Sequence, residues 1–388
     1  MLNSHQGDVY TLVLFHFDSG GSMANARHQI WHRAGPWTAI TTSVALAVLA
    51  APGCDDGNGT GTTGGGGTGT SSTTTSTTGG TGGTGATGGS TGGGGQALTP
   101  ELTPAGTTQS PLDSTPDSTG TNFYFVGHKA GIPGVFKVGA NGGAVSDIFI
   151  GDPLAGPVGI SIATDDSSLY VADVSYDNTA DDPDSPRGVL MKMGTTVDST
   201  PSPIASTAGY RPRGLDVTET TEGDVITFTG VDPSNGQPGL YSVLASGGGV
   251  TKIATGSPFV DPSGVVVTKD KTFVTDVLAT DTRFASVIVV ENGVASEFVK
   301  SLGVGYPAGI SVTSDEKLLL VSGIDPLTGT DVIHTINVAT KEVSSFTNAV
   351  LEKNLDAGGL HRARKADVYS WCDLTTGDTG LVYKVVLK

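Results

Sequence analysis

The chain has 388 residues, 58 of them glycine, with only 15% charged and a formal net charge of −17. That balance excludes a nucleic-acid binder, whose affinity rests on a basic stripe, and suits a solvated exported surface or a cation-binding face. Its two cysteines, Cys54 and Cys372, are too few for a disulfide framework and form no C-x-x-C pair for zinc or redox work.

Residues 1–22 carry Asp8 and Asp18 ahead of a positively charged segment. An acidic leader in that place makes poor physical sense for export, so translation is expected to begin at Met23. Residues 23–53 have the form of a signal peptide. Arg27 and Arg33 supply the charge, 44–51 is a short apolar run, and Ala51, Pro52 and Gly53 are small. The run is too short to span a bilayer. Residues 54–96 begin at Cys54 and continue as an almost pure Gly/Thr/Ser stretch with no apolar periodicity, hence nothing to offset the entropy of ordering. As a flexible coil, its ~40 residues would span roughly 35 Å.

A cysteine directly after a small-residue cleavage site resembles the lipobox of bacterial lipoproteins, although Ala51 stands where leucine is usual. The resemblance implies that Cys54 is diacylated and begins the mature chain. Its lipid would anchor the protein to a membrane without a spanning helix. The expected location is the bacterial cell envelope, on the periplasmic face or the cell surface. Ordinary secretion with cleavage nearby is the alternative.

Residues 97–388 are organised by a phrase that recurs roughly every 50 residues. It reads Pro157-Val158-Gly159-Ile160, Pro212-Arg213-Gly214-Leu215, Pro262-Ser263-Gly264-Val265 and Pro307-Ala308-Gly309-Ile310. Weaker copies stand at Pro111-Leu112-Asp113 and Asp356-Ala357-Gly358-Gly359-Leu360. Each copy predicts a first strand at the phrase, a turn cluster such as Asp165-Asp166-Ser167-Ser168, and three further strands. In the copy at Pro157 these are 159–163, 169–174, 189–193 and a strand beginning at 203. Four short strands per ~50 residues predict an all-β fold, a six-bladed β-propeller of four-stranded blades. The last copy ends after three strands. Residues 96–103 are expected to supply its fourth and to close the ring, which removes free sheet edges.

Tyr170-Val171-Ala172-Asp173 and Phe273-Val274-Thr275-Asp276, each following a P-x-G strand, resemble the second-strand phrase of NHL, YVTN and SMP-30/gluconolactonase-type propellers. The resemblance covers 97–388 and implies the architecture. It is weak for activity, because such folds host hydrolases, sensors and scaffolds alike.

The second strands end on Asp173, Asp232, Asp276, Asp325 and Asp373, with His128 in the first copy. In a propeller these ends crowd one mouth of the channel. Carboxylates so placed either gather a cation or cationic ligand, or accept backbone N–H bonds and shape their own loops. The loop over 176–187 carries Asp177, Asp181, Asp182 and Asp184, oxygens of the kind Ca²⁺ takes but without a recognised spacing. Approaches to the blades bring Tyr210, Arg211, Arg213, Asp261 and Tyr306 to the same mouth, a combination suited to a glycan, peptide or protein. His361 lies with Arg362 and Arg364 near the start of the last copy. Cys372, among Tyr369, Trp371 and Leu374, reads as a buried small hydrophobe.

An SMP-30-like lactonase would need Glu, Asn and Asp ligands on its first or second strands. The first-strand positions here read Leu112, Ile160, Leu215, Val265, Ile310 and Leu360, with Asp216 the nearest acid. No G-x-S-x-G or H-E-x-x-H motif is present. The leading expectation is therefore a monomeric binding scaffold for a glycan, peptide or protein. A metal-dependent hydrolase of the lactonase type is the alternative, and a purely structural surface protein the second.

Overall fold

The computed structural model describes residues 99–388, apart from 178–186, 279–284, 349, 352–356 and 375–378. The leader, Cys54, the Gly/Thr/Ser stretch and Asp356 lie outside the described residues. No α-helix occurs among the described residues.

In chain order the strands are β1 (Pro100–Pro116), β2 (Asn122–Lys129), β3 (Ile132–Gly139) and β4 (Ser146–Ile150). Then come β5 (Pro157–Ile162), β6 (Ser168–Asp173), β7 (Val189–Gly194) and β8 (Ser202–Pro203). The next copy holds β9 (Leu215–Thr220), β10 (Gly223–Val231), β11 (Pro238–Leu244) and β12 (Thr251–Thr255). After it stand β13 (Pro262–Val267), β14 (Thr272–Asp276), β15 (Ala285–Glu291) and β16 (Val294–Leu302). The chain continues through β17 (Ile310–Val312), β18 (Leu318–Ile324), β19 (Asp331–Asn337) and β20 (Val343–Phe346). It ends with β21 (Ala357–Arg362), β22 (Val368–Asp373) and β23 (Gly380–Leu387).

Six separate four-stranded blades are expected, but four are found: β5–β8, β9–β12, β13–β16 and β17–β20. The other seven strands form one continuous sheet, ordered β21-β22-β23-β1-β2-β3-β4. The cause is β1. Its residues 100–108 pair antiparallel with β23, and 109–116 pair with β2. Ser110, at φ 48°, and a register break between Gln109 and Asp113 separate the two roles. The strand expected over 96–103 thus completes the last copy from Pro100 onward; residues 96–98 lie outside the described residues.

The second and third strands read as apolar runs rather than alternating ones because both of their faces are covered. Phe273, Val274, Val287 and Ile288 are all essentially inaccessible. The apolar clusters each join consecutive copies. Ile160 and Met191 pack with Tyr124 and Val135, and Phe273 and Val287 pack with Ile310 and Leu319. One cluster unites Phe123, Phe125 and Phe136 with Cys372 and Val382, the two ends of the domain. The innermost strands β1, β5, β9, β13, β17 and β21 pack each on the next, and β21 on β1, about a central channel. The architecture is an all-β propeller of four-stranded blades.

The repeated glycine has a packing reason. Gly159 lies against the carbonyl oxygen of Arg213, Gly214 against that of Ser263, and Gly264 against that of Ala308. A Cβ at any of these positions would overlap backbone of the following blade. Gly249, by contrast, faces open space. Gly214→Ala is expected to destabilise the chain by about 1–3 kcal/mol through overpacking, and Gly249→Ala by far less, as read from paired denaturant unfolding curves.

Candidate functional site

Antiparallel pairing puts the P-x-G phrases and the loops after the second strands on one face, here the upper face. The turns between first and second strands lie on the lower face, as does Thr99, which pairs with Lys388 at the end of β23.

The aspartates closing the second strands are turned into their own loops. Asp173 is fully buried and accepts N–H bonds from Ala155, Gly156, Ser175 and Tyr176 at 2.7–3.0 Å. Asp276 accepts from Val260, Asp261 and Leu278. Burial raises both carboxyls above their ordinary pKa, and the amide donors oppose it. Asp232 takes the Ser234 amide and hydroxyl and pairs with Lys252, which together hold it at about 2. Asp325 accepts from Leu327 and Thr328. Asp373 is fully buried at the end of β22. His128 is half-buried, and burial lowers its pKa. Of the acidic loop, Asp177 pairs with Arg187 at 3.5 Å, while Asp181, Asp182 and Asp184 lie outside the described residues.

Asp276 also organises a surface. Its carboxylate gathers the amides of Val260, Asp261 and Leu278, leaving the Val260 and Leu278 side chains 55% and 39% exposed. The Asp261 side chain pairs with Arg213. The Arg213 guanidinium lies 5.5 Å from the ring centroid of Tyr306, which is 52% exposed. Arg213 thus links Asp261 to Tyr306, and the same Asp276 carboxylate that holds the Asp261 amide also holds those of the exposed Val260 and Leu278. Arg211 is exposed, with φ 47°. Tyr210 instead packs inward, edge-on to Phe228 and Tyr241.

The channel is lined by residues that the first-strand reading passes over. Ile160, Leu215, Val265, Ile310 and Leu360 are buried between blades. One residue further along, Ser161, Asp216, Ser311 and His361 line the channel cavity, with Thr115 at the same register in β1, while Val266 packs into the core with Ile310. Strand side chains alternate faces, so a one-residue shift changes which neighbours a side chain meets. Among the described residues, no three His, Cys, Asp or Glu side chains converge.

At the upper end Asp113 takes the place of the phrase glycine in the first copy. Its buried carboxylate accepts from Ser114 N and Ile160 N at 2.8 and 2.9 Å and meets His361 Nε2 at 3.2 Å. This contact joins β21 to β1 and, through Ile160, to β5. Burial works against a charged His361, but the adjoining Asp113, helped by Asp216 and opposed by Arg364, outweighs it. The net effect raises the imidazole above its ordinary 6.5. Cys372, fully buried, has its thiol pushed well up by burial.

The lower face has its own acids. Ser118, in the turn after β1, bonds Asp166 of the next copy through its amide and hydroxyl at 2.8 and 2.5 Å. Thr164 does the same with Asp224, and Ser314 with Asp367. These latches are legible only once the turns of successive copies are aligned.

No protein-family profile matches the chain, and no curated protein matches it. Among solved structures it is similar to a gluconolactonase from Xanthomonas campestris at 13% identity, over 76% of this chain and 98% of that one, with a TM-score of 0.49. It is similar to a nidogen–laminin complex at 13% identity, over 65% and 84%, with a TM-score of 0.49. A third similarity is to the β-propeller domain of a Cps50 (Swd1) protein from Myceliophteria thermophila at 11% identity, over 73% and 99%, with a TM-score of 0.41. At these values they assign neither activity nor ligand to this chain.

Since the folded-state pKa of His361 is raised, its stabilising charge is fully present below the unfolded value near 6.5 and is lost as pH rises through the folded value. Unfolding free energy measured from pH 5.5 to 8.5 is expected to fall across that window in the native chain. The part of the slope that vanishes in His361→Gln is the part this pair supplies.

Proposed function

We propose that this chain is a lipid-anchored protein of the bacterial cell envelope whose propeller binds a peptide, protein or glycan partner on its upper face. In this reading the seven-stranded sheet counts as two blades sharing β1, giving six blades in all. Cys54 carries the lipid, and the Gly/Thr/Ser stretch is a tether. The observation that carries the binding role is the Asp261–Arg213–Tyr306 link, with the exposed Val260 and Leu278 held beside it by Asp276. A half-exposed tyrosine with a guanidinium over its ring, and exposed apolar side chains nearby, have the composition of binding hot spots. Asp173, Asp232, Asp276 and Asp325 support that face by fixing its loops rather than by meeting the ligand.

Incubating the labelled full chain with glycan and peptide arrays tests the role. Ligands retained by the native chain are expected to be lost in Tyr306→Ala and Arg213→Ala and kept in Lys129→Ala, a substitution of an exposed residue away from the cluster. Retention unaffected by either cluster substitution would place the binding surface elsewhere. For the anchor, Cys54→Ser is expected to abolish incorporation of a labelled fatty acid and to move the protein from the detergent phase to the aqueous phase on Triton X-114 partition.

A further inference from the structure

The lower half of the channel contains a cation that the binding face does not use. Arg364 stands in the turn after β21, at the place where other copies carry Thr164 or Ser314. Those residues are latched to the next copy, whereas Arg364 reaches across the channel. Its guanidinium donates to the carbonyls of Ile162, Ala163 and Val217 at 2.8–3.2 Å, tying β21 to β5 and β9. Among the described residues no carboxylate lies within ion-pair distance of it. Its neighbour Arg362 donates to the Val312 and Ala363 carbonyls. Asp216 lines the same space, but its two oxygens already accept from Val217 N and Val267 N, both at 2.8 Å.

Beside Arg364 lies a cavity of about 130 Å³, walled by Thr115, Ser161, Thr218, Ser311 and His361. A partly buried guanidinium whose hydrogen-bond partners are all carbonyls has no direct ion pair, although the Asp216 charge shares its cavity, and a directly bonded counter-charge is the stronger partner in such a place. The walls add hydroxyl donors. The volume is several times the ~30 Å³ share of one water and well below the roughly 300–1,000 Å³ of pockets that take drug-sized ligands. We infer that the lower channel is a binding site for one small oxyanion, a carboxylate or a phosphate, held by Arg364 and the hydroxyls of Thr115 and Thr218. The site is separate from the upper-face cluster and does not depend on the function proposed for it.

The test is calorimetric titration of the full chain with sodium phosphate and, separately, sodium acetate, each against sodium chloride at equal ionic strength so that general screening cancels. Saturable binding of one equivalent is expected with at least one of the two. Binding of phosphate alone identifies a phosphoryl ligand, and binding of acetate alone a carboxylate. Arg364→Met is expected to weaken it by about 10- to 100-fold, the worth of one charge-assisted hydrogen bond. Because that substitution also removes the tie across the channel, Thr218→Val serves as the second variant; it keeps the guanidinium and its carbonyl bonds and is expected to weaken binding without unfolding the chain. Heats indistinguishable from chloride in the native chain overturn the inference. Saturable binding unchanged in Thr218→Val and in Arg364→Met also overturns it, by placing the anion elsewhere.

Discussion

The approach of one inner strand to the next, close enough to leave no room for a Cβ, sets the dimensions of everything else. Gly159, Gly214 and Gly264 lie on the carbonyls of the following blade. The same junctions are stitched by hydroxyls from second strands. Thr229 donates to Ser263 O, Thr275 to Ala308 O, Ser322 to Gly358 O and Ser370 to Ser114 O. Backbone contact at this range fixes the channel radius, so the residue after the phrase decides what the channel can hold. It also fixes the spacing at which the apolar second and third strands interdigitate.

One junction departs from this rule, and the departure is chemical. In the first copy the phrase glycine is Asp113, whose carboxylate occupies the space against Gly359 that a strand's backbone fills elsewhere. A buried carboxylate needs partners, and it finds two amides and an imidazole. The last copy supplies that imidazole, His361, and then Arg362 and Arg364, so these three cations of the lower channel come from one strand and the turn that follows it. Ring closure and part of the channel's charge thus come from the same few residues.

Strand order was readable from the chain because P-x-G recurs with an apolar run behind it, and most observed strands lie within a few residues of those the pattern predicts. Bearings of side chains were less readable. Asp173 and Asp276 look alike in sequence whether they meet a ligand or a loop amide; only the positions of Ala155, Gly156, Val260 and Leu278 distinguish the two. Asp166 and Asp367 sit in turns and Asp224 at the start of β10, where an acid is unremarkable, and their partners belong to the preceding copy. That β1 pairs with both β23 and β2 is invisible to periodicity, since Ser110 carries no mark of its positive φ. Tyr306 and Arg213 were legible as mouth residues, but their stacking, and the link through Asp261 and Asp276 to Val260 and Leu278, depends on contacts between copies.

The pairing of β1 with β23 has a mechanical meaning. The described chain begins at Thr99 on the lower face, where Thr99 and Lys388 exchange two backbone hydrogen bonds and Pro100 stands opposite Leu387 in the register. Tension applied ahead of Thr99 and directed along β1, while the upper face is held, loads the ladder over residues 100–108 in shear, so its rungs bear the force together instead of parting one by one. The strand that closes the ring is then also the strand through which a pulled propeller is carried.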